Sequence, residues 1–135
     1  MKKDIEKKEV TGVRVAIAKT RNPEGEWVWD AYLINCNSYD LENVIVASKG
    51  YTIRGGKEME TSTLRHMFKE LKAGAYAKIE PVNPEVFSLT NEYWVSFFCE
   101  EGFLDKRFIF PEEICQDRFL VDISEIGLRG VYSMN

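Results

Sequence analysis

His66 is the only histidine in the chain, and histidine is the side chain most often used for proton transfer near neutral pH. A nucleophilic relay around it would call for a serine or cysteine partner and a carboxylate, and the GxSxG elbow that often carries the serine is missing. In Arg65-His66-Met67-Phe68 the histidine reads as a structural or surface residue, and no catalytic residue is assigned. If the chain holds a ligand, the expected polar lining is Arg65, His66, Glu80 and Tyr93, which together offer a guanidinium, an imidazole, a carboxylate and a phenol.

Other chemistry is poorly served. Zinc asks for three or four cysteines or histidines at short spacing, whereas Cys36, Cys99 and Cys115 are far apart, so no metal site is expected. Asp40-Leu41-Glu42-Asn43 is too short for a calcium loop. Arg54-Gly55-Gly56-Lys57 lacks the GxxxxGK[ST] spacing of a phosphate loop and reads as a hairpin turn. No cofactor is implied. Trp27, Trp29, Tyr39, Tyr93 and Trp94 could stack on a sugar or base, but they alternate with aliphatics and read as core. Trp27, next to a turn, is the aromatic expected at the surface.

Most of the elements that must carry these residues are strands. Val13-Arg14-Val15-Ala16-Ile17-Ala18-Lys19 alternates with period two, as a half-buried strand does. Asn22-Pro23-Glu24-Gly25 turns the chain into Trp27 to Cys36, apolar on both faces and hence central. Val44 to Ser48 is a strand, with Tyr51 to Arg54 as another. In 61–71, Leu64, Met67, Phe68 and Leu71 have helical spacing, yet the segment lies between strands, which leaves helix and strand both open. Lys72-Ala73-Gly74 reads as a hairpin turn into 75–80, and Pro81-Val82-Asn83-Pro84 as a connector. Tyr93 to Cys99 is a central strand, with 103–110 as its hairpin partner. Residues 119–132 read as a short strand or an extended tail.

These elements predict a mainly β chain, an immunoglobulin-like antiparallel sandwich with room for one short helix at 61–71. Residues 1–10 hold four lysines and three acids and read as a charged arm, leaving 11–135 as one domain. The net charge of −4 argues against nucleic acid as a partner of the whole surface. Three widely spaced cysteines point to a reducing, cytoplasmic setting, with Cys36 and Cys99 as core residues. Neither a signal peptide nor a stretch of about 18 apolar residues is visible, so no membrane association is expected.

Thr61-Ser62-Thr63-Leu64-Arg65-His66-Met67-Phe68, and Lys78-Ile79-Glu80-Pro81-Val82-Asn83-Pro84-Glu85-Val86-Phe87 running on to Asn91-Glu92-Tyr93-Trp94-Val95-Ser96-Phe97, resemble a family of short uncharacterised bacterial proteins. Some members carry the label phenylalanyl-tRNA synthetase alpha subunit. The residues do not support that label, because the arginine motifs of a class II ATP site are missing, and the resemblance carries over no functional residue.

The function expected on these grounds is a non-enzymatic, protein-binding adaptor in the cytoplasm, with room for a homodimer. Its partner contacts would come from Lys2, Lys3, Lys7 and Lys8 of the arm, from Val13, Val15 and Ile17 on a free edge strand, and from Trp27. The alternatives are a small enzyme or ligand-binding protein with a pocket at His66, and a ribosome or RNA accessory protein acting through the lysine-rich arm.

Overall fold

The apolar–polar alternation along the chain resolves into strands, in a computed structural model that describes residues 9–135 apart from the side chains at 53 and 54. The four arm lysines assigned to partner binding lie outside the described residues. β1 (Val13–Arg21) and β2 (Trp27–Asn35) form the expected hairpin. β3 (Leu41–Arg54) is one continuous strand where the sequence reads as two. β4 (Lys57–Glu60) pairs with its second half and β5 (Leu64–Leu71) with its first half, on the same side. β6 (Tyr76–Val82), β7 (Thr90–Cys99), β8 (Gly102–Phe110), β9 (Val121–Ile123) and β10 (Leu128–Tyr132) follow, with single 3-10 turns at Pro84–Ser88 and Asp117–Phe119.

The strands make two antiparallel sheets. The first has the order β6-β2-β1-β10-β9; the second has β4-β3-β7-β8, with β5 also on β3. The chain is mainly β. Val15, Ile17 and Leu33 of the first sheet share one buried cluster with Val44, Val46, Tyr93, Val95, Phe97, Phe108 and Phe110 of the second. Each such aliphatic or phenylalanine side chain contributes about 2 kcal/mol by leaving water. A smaller cluster of Ala16, Ile34 and Ile123, with Ile126 and Tyr132 packed on it, covers the other side of the first sheet.

That second cluster overturns one expectation. β1 is not an edge: it lies between β2 and β10, and Val13, Val15 and Ile17 are core residues. Its alanines are small because both of its faces are covered, and β10 arrives from more than 100 residues away with no local signal. Gly130 allows that pairing: a Cβ there would overlap the Ile17 carbonyl and the Ala18 backbone.

Residues 64–71 form a strand. Inward Leu64, His66 and Phe68 alternate with outward Arg65, Met67 and Lys69, and the helical spacing was coincidental: Met67 is 74% exposed. Lys72-Ala73-Gly74 does not close a hairpin but carries the chain from the second sheet to the first. Asn35, fully buried, secures that crossing by donating from Nδ2 to the carbonyls of Tyr39, Leu71 and Lys72. Cys36 is exposed rather than core, just past the end of β2, whereas Cys115 is buried. Val10, at the end of the expected arm, is buried in the main cluster.

Candidate functional site

Three of the four residues expected to line a pocket meet between the open edges of the two sheets. The element that arranges this is a bulge in β6. Tyr32 pairs with Lys78 and Ala31 pairs with Glu80, so Ile79 is an extra residue. Ahead of the bulge the odd residues face inward, as Ala77 opposite Leu33 does; beyond it the even ones do, as Val82 opposite Trp29 does. Ile79 and Glu80 therefore both turn inward, and a carboxylate that strict alternation would send to solvent enters the gap.

Glu80 collects hydrogen bonds from three strands of the second sheet. On Oε1 it accepts from Ser48 Oγ at 2.9 Å and meets His66 Nε2 at 2.7 Å; on Oε2 it accepts from the Tyr93 hydroxyl at 3.0 Å. With Glu80 as a carboxylate, His66 donates from Nε2. Glu80 is 12% exposed and His66 29%, so the imidazole is the member open to water. Burial, and then the Glu80 charge, push the Tyr93 phenol well above its ordinary value and keep it neutral.

Arg65 does not join them. It pairs with Ala47 on the opposite face of β5 and is exposed. Ser48 was missed, although a serine at an inward position of the apolar run Val44-Ile45-Val46-Ala47-Ser48 signals a buried hydroxyl that needs a partner.

Beside the cluster is a groove of about 330 Å³, lined among others by Ser48, Gly50, Leu64, Glu80, Val86 and Tyr93. Gly50 keeps its floor low: a Cβ there would press on Leu89, Asn91 and Thr61. The geometry is not that of a nucleophilic relay. Ser48 donates to the carboxylate, not to His66, so the serine–histidine contact of such a relay is not made. The arrangement can hold sheet edges together and bind a polar group.

The second feature is the outer face of the second sheet. Met67, Ile45, Trp94, Phe98 and Phe103 are all exposed there. Met67 pairs with Ile45, Ala47 with Trp94, and Phe98 with Phe103, whose rings lie 5.1 Å apart. Arg107 stacks on Trp94 at 4.3 Å, and the Trp94 indole donates to Asp105. Trp27 is 56% exposed, at the far end of the β1–β2 hairpin, with Arg21 and Lys19 over its ring.

A third cluster lies on the outer side of the first sheet. Arg14 stacks on the Tyr132 ring at 3.5 Å and pairs with Glu125 at 3.2 Å, while the Tyr132 hydroxyl donates to Glu125 at 2.5 Å. That hydroxyl bond, seconded by a backbone bond and by Arg14, holds the Glu125 carboxyl below its ordinary value, and the Tyr132 phenol is pushed up to about 12. Burial raises the Cys36 thiol, and it pushes the Cys115 thiol up to about 12. Among the described residues no group of cysteine, histidine, aspartate or glutamate could hold a metal ion, and no helix is long and apolar enough to cross a membrane. No protein-family model matches the chain, and no curated protein matches it.

Proposed function

We propose that this chain is a non-enzymatic protein-interaction domain, an adaptor of the cytoplasm, built on an immunoglobulin-like sandwich. The observation that carries the reading is the exposed apolar face of Met67, Ile45, Trp94, Phe98 and Phe103. Aromatic side chains and methionine are the types enriched at protein–protein interfaces, and a contiguous apolar patch is a mark of such a surface. The strand order supports the scaffold: β1-β2-β6 against β5-β3-β7-β8 follows the immunoglobulin-like order A-B-E against C′-C-F-G, with β10 and β9 added beside β1. Three unbridged cysteines support a reducing compartment.

The test is a photo-crosslinking residue placed at Phe98 or Phe103, with Asp122 as a control on the first sheet, in the protein's own host. One defined protein is expected from the two face positions alone, with Trp94→Glu lowering its yield about tenfold. Equal products from the control position, or none from the face, would sink the reading.

The groove beside Glu80 favours a second reading, a protein that binds a small polar molecule. Native mass spectrometry of protein taken from its host would then reveal a discrete added mass that His66→Ala abolishes. A bare chain in both forms argues against it.

A further inference from the structure

The edges of the two sheets are not equally protected. β6 carries Pro81, which has no N–H, and the bulge at Ile79. β8 is covered along Arg107–Ile109: Met134 N–H donates to the Ile109 carbonyl at 2.9 Å, Ile109 N–H to Asn135 Oδ1 at 3.2 Å, and Asn135 Nδ2 to the Arg107 carbonyl at 2.5 Å. β9 has three residues and β4 four. β5 is different. It has eight residues and no proline, and among the described strands only β3 pairs with it. Alternate backbone groups on its far side face outward as a template for another strand.

Its side chains say what kind of strand fits. Along the outer face run Arg65, Met67 and Lys69: a cation, an apolar side chain that is 74% exposed, and a second cation. Among the described residues neither Arg65 nor Lys69 has an ion-pair partner, whereas Glu70 of the same strand pairs with Lys72. A second copy of β5 fits badly. Antiparallel and centred on Met67, it sets Arg65 opposite Lys69 of the copy; parallel and in register, it sets like against like. Like charges directly opposite one another are destabilising.

We propose that β5 takes an extended acidic segment of a partner protein as an added strand, with acids two residues either side of an apolar residue that covers Met67. This rests on the reading of the chain as a protein-interaction domain and names the partner's chemistry. Backbone hydrogen bonds give the affinity and the charge pattern gives the specificity.

The probe is a capped peptide of about seven residues with the central sequence Glu-Thr-Val-Thr-Glu, compared with its Lys-Thr-Val-Thr-Lys counterpart. Amide hydrogen exchange and ¹⁵N chemical shifts of the full chain locate binding. The expected result is protection and shifts centred on β5 with the acidic peptide only, weakening as salt is added. Arg65→Glu with Lys69→Glu should weaken that peptide about tenfold and gain the lysine peptide. Both positions are exposed, so the variant's amide dispersion should match the parent. Equal binding of the two peptides, changes centred away from β5, or no β5 shift at millimolar peptide each overturn the proposal. Loss of crosslinking at Phe98 and Phe103 with peptide binding intact would instead count against the interaction face while leaving the edge.

Discussion

Glu80 is the acceptor for two hydroxyls and an imidazole, in a gap where water reaches mainly His66. Glu80→Ala leaves the buried Tyr93 and Ser48 hydroxyls without it, and each unsatisfied group costs about 1–3 kcal/mol. A loss of roughly 3 kcal/mol is expected, measured as a fall in the urea midpoint. Tyr93→Phe, which removes one donor and keeps the ring, should cost about 1 kcal/mol. Glu125 makes a pH prediction. Its carboxyl lies below its ordinary value, so the stability it contributes is present above that value and is lost as pH falls through the lowered one. Glu125→Gln should therefore flatten the fall in melting temperature between about pH 6 and pH 3; an unchanged acid limb would mean the cluster does not couple to folding. At this scale the sequence displays the residue types but not their meeting. His66, Glu80 and Tyr93 were expected together as a polar lining, but Arg65, next to His66 in the chain, takes the opposite face because strands alternate.

At the scale of strands, Gly130 sets how closely β10 approaches β1. Gly130→Ala should push the two apart, at a cost of about 2 kcal/mol, with faster amide exchange along 16–19 in the ladder that joins them. Exchange confined to β9 would show that the sheet absorbs the methyl elsewhere. Local pattern was enough to find β1 with β2, and β7 with β8, because each pair is a hairpin closed by turn residues. It failed where partners are distant. Nothing within β1 announces β10, and nothing at Lys72-Ala73-Gly74 distinguishes a hairpin turn from a crossing between sheets. The helical spacing in 61–71 left helix and strand both open; the segment is a strand, and Met67 of that spacing is exposed.

For the whole molecule, the pairing of β1 with β10 brings the two ends of the described chain together, and the crossings at 36–40, 72–75, 83–89 and 111–120 interleave the sheets. Such non-local closure makes folding slow for the chain's size, on the order of milliseconds to seconds. Stopped-flow fluorescence of the three tryptophans reports it, and a microsecond phase carrying the full amplitude would contradict this view. The exposed aromatic face also bears on behaviour at high concentration. Phe103→Lys on that face should reduce self-association in sedimentation velocity while leaving the melting temperature within a few degrees, since the ring covers little of the core.

The bulge at Ile79 sets one of two ways in which β6 could lie on β2. In the bulged one, Glu80 and Val82 face inward and Pro81 faces out; in a straight one, Ile79 stays inward while Pro81 and Val82 exchange faces. The carboxylate cluster forms only with Glu80 inward, so it favours the bulged alignment. Glu80→Ala should release it: amide signals of Val82 and Asn83 are then expected to double, with slow exchange peaks linking the two populations, while β1, β7 and β8 keep single resonances. In that sense the cluster selects one alignment of a strand over another.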